Sequence, residues 1–341
     1  MDFSSDTSAP AHPAVLSALA EANSGTAASY GEDALCEKLR LLLARALETE
    51  NFDFWICASG TAANALALSL ICSATGAILC HEEAHIERDE RGAPEFFTGG
   101  GKLRLLPGSR GKISRRALIE ALAQNNPAFV HETPIEALSM TNLTECGTAY
   151  DVAKIEDYAA RAKASGLAVH LDGARLANAL ISTGASPAEM SWKAGIDILT
   201  LGLTKTGAMG CEIIILFGQM RRHFASLRAR AKRSGHMPPK MRFLAAQALA
   251  LLQADLWLQL AQRANQQAGR LANTLCAHPD VRLAYPTDGN EVFAVLPDNL
   301  RTRFLEAGIK FYPWPGGSWR FVCSWATPDE SIRSLSGLIT G

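Results

Sequence analysis

Short apolar runs alternate with amphipathic stretches over most of the chain before residue 240. The runs have the length of buried strands, and the stretches between them place apolar side chains at helical spacing. The sequence predicts strands at 54–60, 77–80, 128–131, 167–171, 196–201 and 213–217. It predicts helices at 33–48, 61–70, 114–124, 151–164 and 174–182. Because strands and helices alternate, we expect a mostly parallel sheet that helices cover on both faces.

The pattern changes near residue 240. Residues 240–275 predict one long helix or a pair of helices, and the short apolar runs that follow are typical of strands. We interpret this part as a smaller α+β domain, which the long helix attaches to the rest of the chain. The predicted division is an N-terminal segment with a large domain over 1–247 and a small C-terminal domain over 248–341.

Composition and charge narrow the class of protein. The 341 residues are 48% hydrophobic and 20% charged, which suits one large domain or two unequal domains with a sizeable core. With 33 basic and 34 acidic residues the net charge is −1, so we expect neither nucleic acid nor a membrane surface as a partner. Polar residues and a glycine interrupt the most apolar stretch, 63–80. That stretch therefore predicts a buried helix followed by a strand and not a membrane span.

The N-terminal residues and the cysteines indicate the cellular compartment in which the protein is expected. The first ten residues, "MDFSSDTSAP", have neither the basic segment nor the apolar segment of a secretory signal. The eight cysteines are spread out, with no pair and no Cys/His cluster at the spacing of a zinc site. We therefore expect reduced thiols, no metal and a cytoplasmic protein.

One lysine stands in an unusual context. Lys205 lies in "LTLGLTKTGAMGCE" (199–212), a turn of small residues that follows a predicted strand and has no acidic residue before Glu212. Lysine is rarely buried without a partner. An uncharged, partly buried turn suits a lysine whose amine reacts in its neutral form. A solvated loop lysine is the alternative interpretation.

Two further features lie at predicted strand ends. Asp172 follows a strand in "VHLDGARL", at the edge where parallel sheets bind ligands, although an acid there also caps helices. Ser59, Gly60 and Thr61 lie between a strand and a helix, where N–H groups and the helix dipole attract a phosphate. Small polar residues cap many helices, so this turn alone is a weak signal. It matches neither a GxGxxG nor a GxxxxGK motif, so neither a dinucleotide nor ATP is indicated.

The three features together match the needs of one cofactor. Pyridoxal 5′-phosphate (PLP) requires a phosphate site, an acid that keeps its ring nitrogen protonated, and a lysine that forms a Schiff base with its aldehyde. The sequence supplies residues 59–61, Asp172 and Lys205 in that order, each at a predicted strand end. We therefore predict a PLP site.

Several motifs resemble those of the L-threonine aldolase family, whose members are PLP enzymes of the aspartate aminotransferase fold type. The matching segments run through nearly the whole chain: "DFSSDTSAP", "SYGEDALCEKL", "SGTAANALAL", "EAHIERDERGAPEFFTGG", "HLDGARLANAL", "TKTGAMGCE" and "WRFVCSW". "HLDGARL" and the N-terminal "SDT" are specific to this family, and "TECGT" (144–148) is similar to the low-specificity threonine and phenylserine aldolases. The resemblance implies fold type I, with a large α/β domain around a mostly parallel seven-stranded sheet and a small α+β domain.

The resemblance also implies roles for individual residues. It places the Schiff base on Lys205, the ring nitrogen against Asp172, and the phosphate at Ser59, Gly60 and Thr61. The imidazole of His85 would stack on the cofactor ring, although a lone histidine is more often structural. A further set would lie near the substrate: Arg175 beside the cofactor oxygen and the substrate carboxylate, Arg320 and Ser5 on that carboxylate, and Tyr30 reaching the site of a neighbouring subunit. The alternative for Arg175 is a surface arginine of a helix, and the alternative for Arg320 is a charge on an edge strand beside Trp319 and Phe321.

The implied reaction is retro-aldol cleavage of the Cα–Cβ bond. L-Threonine, L-allo-threonine and related β-hydroxy-α-amino acids, phenylserine among them, would give glycine and an aldehyde. His85, directly or through water, is our candidate for the base that takes the β-hydroxyl proton. Many threonine aldolases carry a second histidine in an "ENTHN"-like segment, where this chain has Thr144 and Glu145, so the base stays open between His85 and Glu145. His131 is predicted to be a core residue.

Other functions remain compatible with these motifs. A β-eliminating lyase or an aminotransferase can use the same fold, and a non-catalytic relative can use it to bind a metabolite. The preferred amino acid and the configuration at Cβ stay open as well. We expect a homodimer or homotetramer with sites at the subunit interface, where the basic segment 230–242 reaches a neighbour's phosphate or is simply a solvated loop.

Overall fold

The structure is a computed structural model that describes residues 1–340. Nine of its strands lie before residue 218: seven form one large sheet and two, the fourth and fifth in chain order, pair with each other, while the last four strands form a small sheet. In chain order the strands are β1 (Phe52–Cys57), β2 (Ala77–His81), β3 (Lys102–Leu106), β4 (Gly108–Ser109), β5 (Lys112–Ile113), β6 (Ile135–Thr141), β7 (Ala168–Gly173), β8 (Ile198–Gly202), β9 (Glu212–Phe217), β10 (Arg282–Leu283), β11 (Glu291–Val295), β12 (Tyr312–Trp314) and β13 (Ser318–Val322).

The large sheet has seven strands in the order β1-β9-β8-β7-β6-β2-β3. The strands from β8 to β3 in that order pair in parallel, and β9 runs antiparallel to both of its neighbours, β1 and β8. The predicted mostly parallel, seven-stranded sheet is therefore confirmed. The parallel order also brings the carboxyl ends of β6, β7 and β8 side by side, with Asp172 between Thr141 and Thr200.

One predicted strand is wrong. Residues 128–131 form a loop, and Val130 in that loop is 87% exposed. The strand lies a few residues later, at β6, because proline residues at 127 and 134 flank the loop and disfavour regular pairing there. The side chain of Asn125 bonds both backbone groups of Ile135 and so fixes where the strand starts. His131 is exposed, so the prediction of a core histidine is wrong too.

Helices cover both faces of the large sheet and one face of the small one. In chain order they are α1 (Pro13–Ala22), α2 (Ala34–Ala46), α3 (Gly60–Leu68), α4 (His85–Arg88), α5 (Ala93–Thr98), α6 (Arg115–Ala123), α7 (Val152–Ala164), α8 (Leu176–Thr183), α9 (Phe224–Arg233), α10 (Arg242–Leu252), α11 (Leu256–Leu275), α12 (Asp298–Glu306) and α13 (Asp329–Thr340). Side chains of Asp33, Ser59 and Asp151 accept backbone N–H groups at the starts of α2, α3 and α7.

The long helical stretch predicted after residue 240 is a pair of helices. The break lies at Gln253–Asp255, where Ala254 and Asp255 both adopt the left-handed conformation. By length and composition alone, Arg242–Leu275 is the one helical stretch in residues 1–340 that would suffice to cross a membrane. Its apolar side chains pack into the cores of both sheets, as in the central helices of globular proteins.

Two main apolar cores share helix α11. Trp257 and Leu260 near its start belong to the core of the large sheet, and Leu271 and Leu275 near its end belong to the core of the small sheet. Phe3 also belongs to the small core, and its backbone bonds Lys310 and Val322. The N-terminal segment thus ties the small sheet to the region of the strand ends. The division of the chain at 247/248 stays a prediction.

Candidate active site

A cavity of about 240 Å³ lies at the carboxyl ends of the parallel strands. It brings together six of the predicted site residues: Ser59, Gly60, Thr61, His85, Asp172 and Lys205. The remaining wall consists of Thr7, Ala58, Asn64, Ala174, Thr204 and Glu212. The three features that the sequence places at separate strand ends therefore meet in one site.

The turn that carries Lys205 is fixed from several sides. It is a single 3-10 turn, Thr204–Thr206, that directly follows β8, and it closes at Gly207 with a φ of 119°. The Gly207 carbonyl accepts the His12 N–H at 2.8 Å, and a Cβ at Gly207 would press on His12 and Leu260. The side chain of Gln247 accepts two N–H groups just beyond the turn. Small residues are therefore needed here, and they leave Lys205 partly exposed to the cavity.

The start of α3 forms the opposite wall. The Ser59 hydroxyl accepts the Ala62 N–H at 3.2 Å and so caps the helix, while the N–H groups of the first turn have no partner within the helix. A Cβ built on Gly60 would meet no atom within 4 Å, so this backbone faces open space. Free N–H groups, hydroxyls and the helix dipole at this point suit a phosphate.

These walls fit PLP. The donor set offers N–H groups and hydroxyls for a phosphate, a buried carboxylate for a ring nitrogen, and a lysine amine for an aldehyde. Asp172 is only 1% exposed and accepts the Ala174 N–H at 3.0 Å, so its carboxylate is fixed in place. Of the residues that hold the cofactor in the predicted scheme, all but Arg175 line this one cavity, and they have the required chemistry.

Four side chains at the floor of the cavity form what we call the amide-bridged cluster: Asn64, His85, Glu90 and Asp172. The Asn64 amide nitrogen donates to Asp172 Oδ2 and to Glu90 Oε1, both at 2.9 Å. Glu90 Oε1 also lies 2.8 Å from His85 Nδ1. Burial raises the pKa of Glu90, and its hydrogen bonds to His85 and Asn64 offset this only in part. Burial alone would lower the pKa of His85, but the bond to Glu90 and the charges of Glu145 and Asp172 raise it.

A second buried network, the arginine cluster, consists of Asp6, Arg175, Glu291 and Arg320. Arg175 donates from Nε and Nη2 to the two carboxylate oxygens of Asp6, at 2.8 and 3.2 Å. Glu291 Oε1 lies 3.5 Å from both Arg175 Nη2 and Arg320 Nε, so it bridges the two guanidinium groups. Burial would raise the pKa of Asp6, but the charges of Arg175 and Lys205 lower it to about 2. Arg320 keeps 18% of its side chain exposed, whereas Arg175 keeps 5%.

Two further predicted residues, Ser5 and Tyr30, do not line the cavity. Ser5 does not line it, but its hydroxyl bonds the hydroxyl of Thr7, which does. Tyr30 lines a separate cavity of about 170 Å³ with Trp55 and Met241, and Lys232 lies 4.7 Å from the centre of its ring. Within one chain, the structure therefore does not bring Tyr30 to Lys205.

The segment that lacks the second histidine contributes one buried acid. Burial raises the pKa of Glu145, an effect that the nearby charges of His85, Arg175 and Lys205 only reduce. Thr144 has a different position, because its hydroxyl bonds the Thr148 hydroxyl and the Arg110 carbonyl oxygen. Of the two residues in this segment, Glu145 is the one whose charge acts on the site.

Several residues of the site were not predicted. Glu212 lines the cavity, and burial, only partly offset by the Thr204 hydrogen bonds and the Lys205 charge, raises its pKa to about 7. Asn64 and Glu90 join the amide-bridged cluster, and Asp6 and Glu291 join the arginine cluster. Asn64 could have been found, because it is a polar residue in an otherwise apolar stretch directly after residues 59–61. Glu90 and Glu291 have no comparable signal in the sequence.

Comparison with known proteins places the chain in a family. Residues 2–298 match the family model described as beta-eliminating lyase. A low specificity L-threonine aldolase of Pseudomonas aeruginosa is 37% identical over 335 residues, which cover 98% of this chain and 95% of the relative. A second low specificity L-threonine aldolase, from a Pseudomonas species, is 35% identical over the same shares of both chains.

Solved structures agree with this placement. The structure of Leishmania major threonine aldolase superimposes with a TM-score of 0.92 at 29% identity, covering 99% of this chain and 98% of the other. An N-succinyldiaminopimelate aminotransferase of Thermus thermophilus, at 18% identity and a TM-score of 0.72, shares the fold. The chain belongs to the beta-eliminating lyase family and, within it, to the low specificity threonine aldolases, which are PLP-dependent carbon–carbon lyases of fold type I.

Proposed function

We propose that the protein cleaves L-threonine, L-allo-threonine and related β-hydroxy-α-amino acids into glycine and an aldehyde, with PLP bound to Lys205. The observation that carries this proposal is the cavity in which Lys205, Asp172 and His85 meet beside a cluster of two arginines. The chemistry needs a group that holds the cofactor, a group that holds the substrate carboxylate and a base. Each has a candidate in this site.

The cofactor is held by residues on three strand ends. Lys205 would bind it covalently, Asp172 would keep its ring nitrogen protonated, and Ser59, Gly60 and Thr61 would bind the phosphate through the start of α3. The cofactor would supply an electron sink for the electron pair that cleavage leaves on Cα. Asp172 performs its role because Asn64 and the Ala174 N–H hold both of its oxygens in place.

The substrate carboxylate goes to Arg320. Arg175 is buried and its guanidinium is engaged by Asp6 and Glu291, so little of it remains for a ligand. Arg320 is more exposed, and its Nε side faces Glu291. Its terminal Nη groups are therefore the ones that can form the two parallel bonds that a guanidinium makes with a carboxylate. Arg175 then supports this contact by holding Glu291, and Ser5 supports it through Thr7.

The proton of the β-hydroxyl goes to His85. This histidine lines the cavity, and its Nδ1 is engaged by Glu90, which leaves Nε2 as the nitrogen that can take a proton. Glu145 is the second candidate, because it is buried and its charge is coupled to those of His85 and Lys205. The proposed role of His85 as the base does not depend on a hydrogen bond with Glu145.

The assay that tests the proposal follows two products. Purified protein with PLP and L-threonine should release glycine and acetaldehyde in equal amounts. β-Elimination is the competing activity, because the matching family model is described as beta-eliminating lyase. It would instead convert threonine into ammonia and 2-oxobutanoate. Ammonia and 2-oxobutanoate as the main products, with no glycine, would refute the aldolase.

We propose that the enzyme is a homodimer or homotetramer with sites at the subunit interface. Two observations support this: Tyr30 lies outside its own chain's cavity, and Lys205 is the one lysine or arginine among the residues that line the wall near the phosphate site. The basic segment 230–242 of a second copy is the proposed source of a further cation. Light scattering measured against PLP content tests the assembly, and a fully active monomer would contradict it.

We also propose a cytoplasmic location, supported by eight free thiols of which seven are buried.

A further inference from the structure

Glu90 is a buried carboxyl group whose one ion-pair partner within residues 1–340 is a histidine and not a lysine or an arginine. Its side chain is fully buried, and its Oε2 atom has no hydrogen-bond partner among residues 1–340. No lysine or arginine within this range forms an ion pair with it, and its one ion-pair partner is His85. A buried carboxylate with so little compensation is expensive to keep. Such a group is more often found where it serves a site than where it serves the fold alone.

The hydrogen bonds of Asn64 fix this carboxyl group. The amide nitrogen of Asn64 has two hydrogens, and one goes to Glu90 Oε1 and the other to Asp172 Oδ2. Both partners are carboxyl oxygens, so the nitrogen and not the oxygen of the amide must face them. The Asn64 oxygen is buried and has no hydrogen-bond partner in the part of the chain that the structure describes. One amide thus joins the acid that faces the cofactor ring to the acid that holds His85.

We propose that Glu90 is a positioning residue for His85. An ionised carboxylate only accepts hydrogen bonds, so Glu90 Oε1 requires the proton of His85 on Nδ1 and leaves Nε2 with its lone pair toward the cavity. When Nε2 takes a proton, the ring becomes a cation and Glu90 is the carboxylate next to it. Glu90 therefore sets both which ring nitrogen acts and how basic that nitrogen is, while Asn64 holds Glu90 and Asp172 in place.

This inference deepens the proposed function and rests on it, since it assumes that His85 takes the proton of the β-hydroxyl. The proton leaves the substrate oxygen, resides on Nε2 and is then released to water, while Cα of the glycine product takes up one proton. No proton is gained or lost overall, and the neutral ring with its Nδ1 proton is restored. Glu90 stays ionised throughout and does not touch the substrate. A purely structural Glu90 would hold the loop after α4 without any effect on how His85 titrates.

The charges that raise the pKa of His85 are those of acids. Glu90 contacts Nδ1, the charge of Glu145 acts from the segment after β6 and that of Asp172 from β7. One cation, Lys205, lines the same cavity. A change at Glu90 alone leaves the other acids in place. The variant Glu90→Gln keeps the size of the side chain and an oxygen that accepts from Nδ1 and from Asn64, and it removes only the charge.

The direct test is histidine NMR on the holoenzyme. Protein labelled with ¹³C at histidine Cε1 contains eight histidines, and the signal of His85 is the one that His85→Asn removes. In the wild type this signal should titrate above the ordinary histidine value of about 6.5. In Glu90→Gln its midpoint should fall by about one pH unit, because an opposite charge at hydrogen-bond distance is lost. Glu95→Gln changes a partly buried acid of the same segment outside the site and should leave the midpoint unchanged.

Kinetics supply the second readout. Glu90→Gln should lower kcat on L-threonine about 10- to 100-fold, as when the hydrogen-bond partner of a functional histidine is removed, while KM stays near the wild-type value. The acid limb of the kcat/KM profile should move to lower pH, in the same direction as the NMR midpoint. A merely structural role predicts a lower melting temperature with both midpoints unmoved.

The outcomes distinguish the proposed role of Glu90 from the proposed cleavage of threonine. An unchanged His85 midpoint in a folded Glu90→Gln protein would overturn the role of Glu90, whatever the enzyme does with threonine. Should Glu90→Gln fail to fold, the wild-type titration decides, and a midpoint at or below about 6.5 would overturn the inference. If the protein makes no glycine from threonine while the midpoint falls as expected, the proposed function fails and the pairing of Glu90 with His85 stands.

Discussion

The two buried networks of the site contain different kinds of polar and charged side chains. The amide-bridged cluster holds two carboxyl groups and a histidine, with an amide between them and no guanidinium. The arginine cluster holds two carboxyl groups and two guanidinium groups. Its charges balance, and the pKa of Asp6 is therefore lowered, whereas the pKa of Glu90 is raised.

The two networks therefore suit different roles: the amide-bridged cluster suits proton transfer, and the arginine cluster suits support of the fold. In a balanced network each charge stabilises its neighbours, which suits a frame that joins the N-terminal segment, helix α8 and strands β11 and β13. In the acidic network the carboxylates favour the protonated form of the histidine beside them and so raise its pKa, which suits proton transfer. We therefore expect changes in the amide-bridged cluster to act on turnover, and changes in the arginine cluster to act on stability and on substrate binding.

Within the two clusters, His85 should show the largest effect on turnover. His85→Asn and His85→Phe should each lower kcat on L-threonine by about 10²–10⁴, the usual contribution of a general base. His85→Phe keeps a flat ring and should bind PLP nearly as well as the wild type. Because it leaves the buried Glu90 without its ion-pair partner, it should lower the melting temperature. Steady-state kinetics and PLP titration measure these effects. If His85→Phe turns over threonine at close to the native rate, the base lies elsewhere, and Glu145 becomes the leading candidate.

Arg175 should show the largest effect on stability. Arg175→Ala leaves Asp6 and Glu291 buried without their shared cation, which should lower the free energy of unfolding by about 3–5 kcal/mol. The control is Arg115→Ala, because Arg115 pairs with Asp157 at the surface, where such a pair contributes at most about 1 kcal/mol. Denaturant unfolding compares the two. Equal small losses would show that the arginine cluster does not support the fold.

Arg320 should separate binding from turnover within the arginine cluster. Losing a charge-assisted contact to a carboxylate costs about 1.5–3 kcal/mol, so Arg320→Ala should raise the KM for L-threonine about 10- to 100-fold. A smaller fall in kcat would accompany it if the Cα–Cβ bond is also misplaced. The control is Arg301→Ala on α12, a partly exposed arginine that pairs with Asp298 and contacts the ring of Trp319 outside the arginine cluster. An unchanged KM in Arg320→Ala would mean that another group holds the carboxylate.

The pH dependence of stability should have opposite signs in the two clusters. The pKa of Asp6 is about 2 in the folded state and 3.8 ordinarily, so its contribution is complete above pH 3.8 and is lost as the pH falls toward 2. That loss amounts to about 2 kcal/mol, and Asp6→Asn should remove it. Glu90 and His85 have raised pKa values, so each favours the folded state at low pH and less so as the pH rises past 4.5 for Glu90 and 6.5 for His85. Unfolding curves from pH 2 to 8 test both signs.

The sequence predicts the parts of the site that lie at strand ends. Lys205, Asp172 and residues 59–61 were found because each follows an apolar run, and the carboxyl ends of neighbouring parallel strands meet at one edge of the sheet. The same runs predicted five of the seven strands of the sheet, β1, β2, β7, β8 and β9, and the number seven came from the family resemblance. Local spacing failed at 128–131, where an apolar run of strand length has prolines at 127 and 134 on either side and lies in an exposed loop.

The clusters were missed because their members are distant in sequence. Asp6 reaches Arg175 over 169 positions, and Asn64 reaches Asp172 over 108. Nothing in the neighbourhood of Asp6 or Glu291 marks them as partners of an arginine. Arg175 and Arg320 were predicted as substrate ligands from the family motif, but the motif does not reveal that buried acids engage Arg175 and orient Arg320.

The central claim is that Lys205 holds PLP for aldol cleavage, and one measurement addresses it directly. Purified protein is treated with borohydride, digested and analysed by mass spectrometry, and its aldolase activity is measured before and after. We expect the reduced PLP mass on the peptide with Lys205 and complete loss of glycine release. Lys205→Ala should carry no label and almost no activity, while Lys163→Ala, a surface change, should match the wild type. Label on a different lysine, or near-native glycine release by Lys205→Ala, would contradict the account.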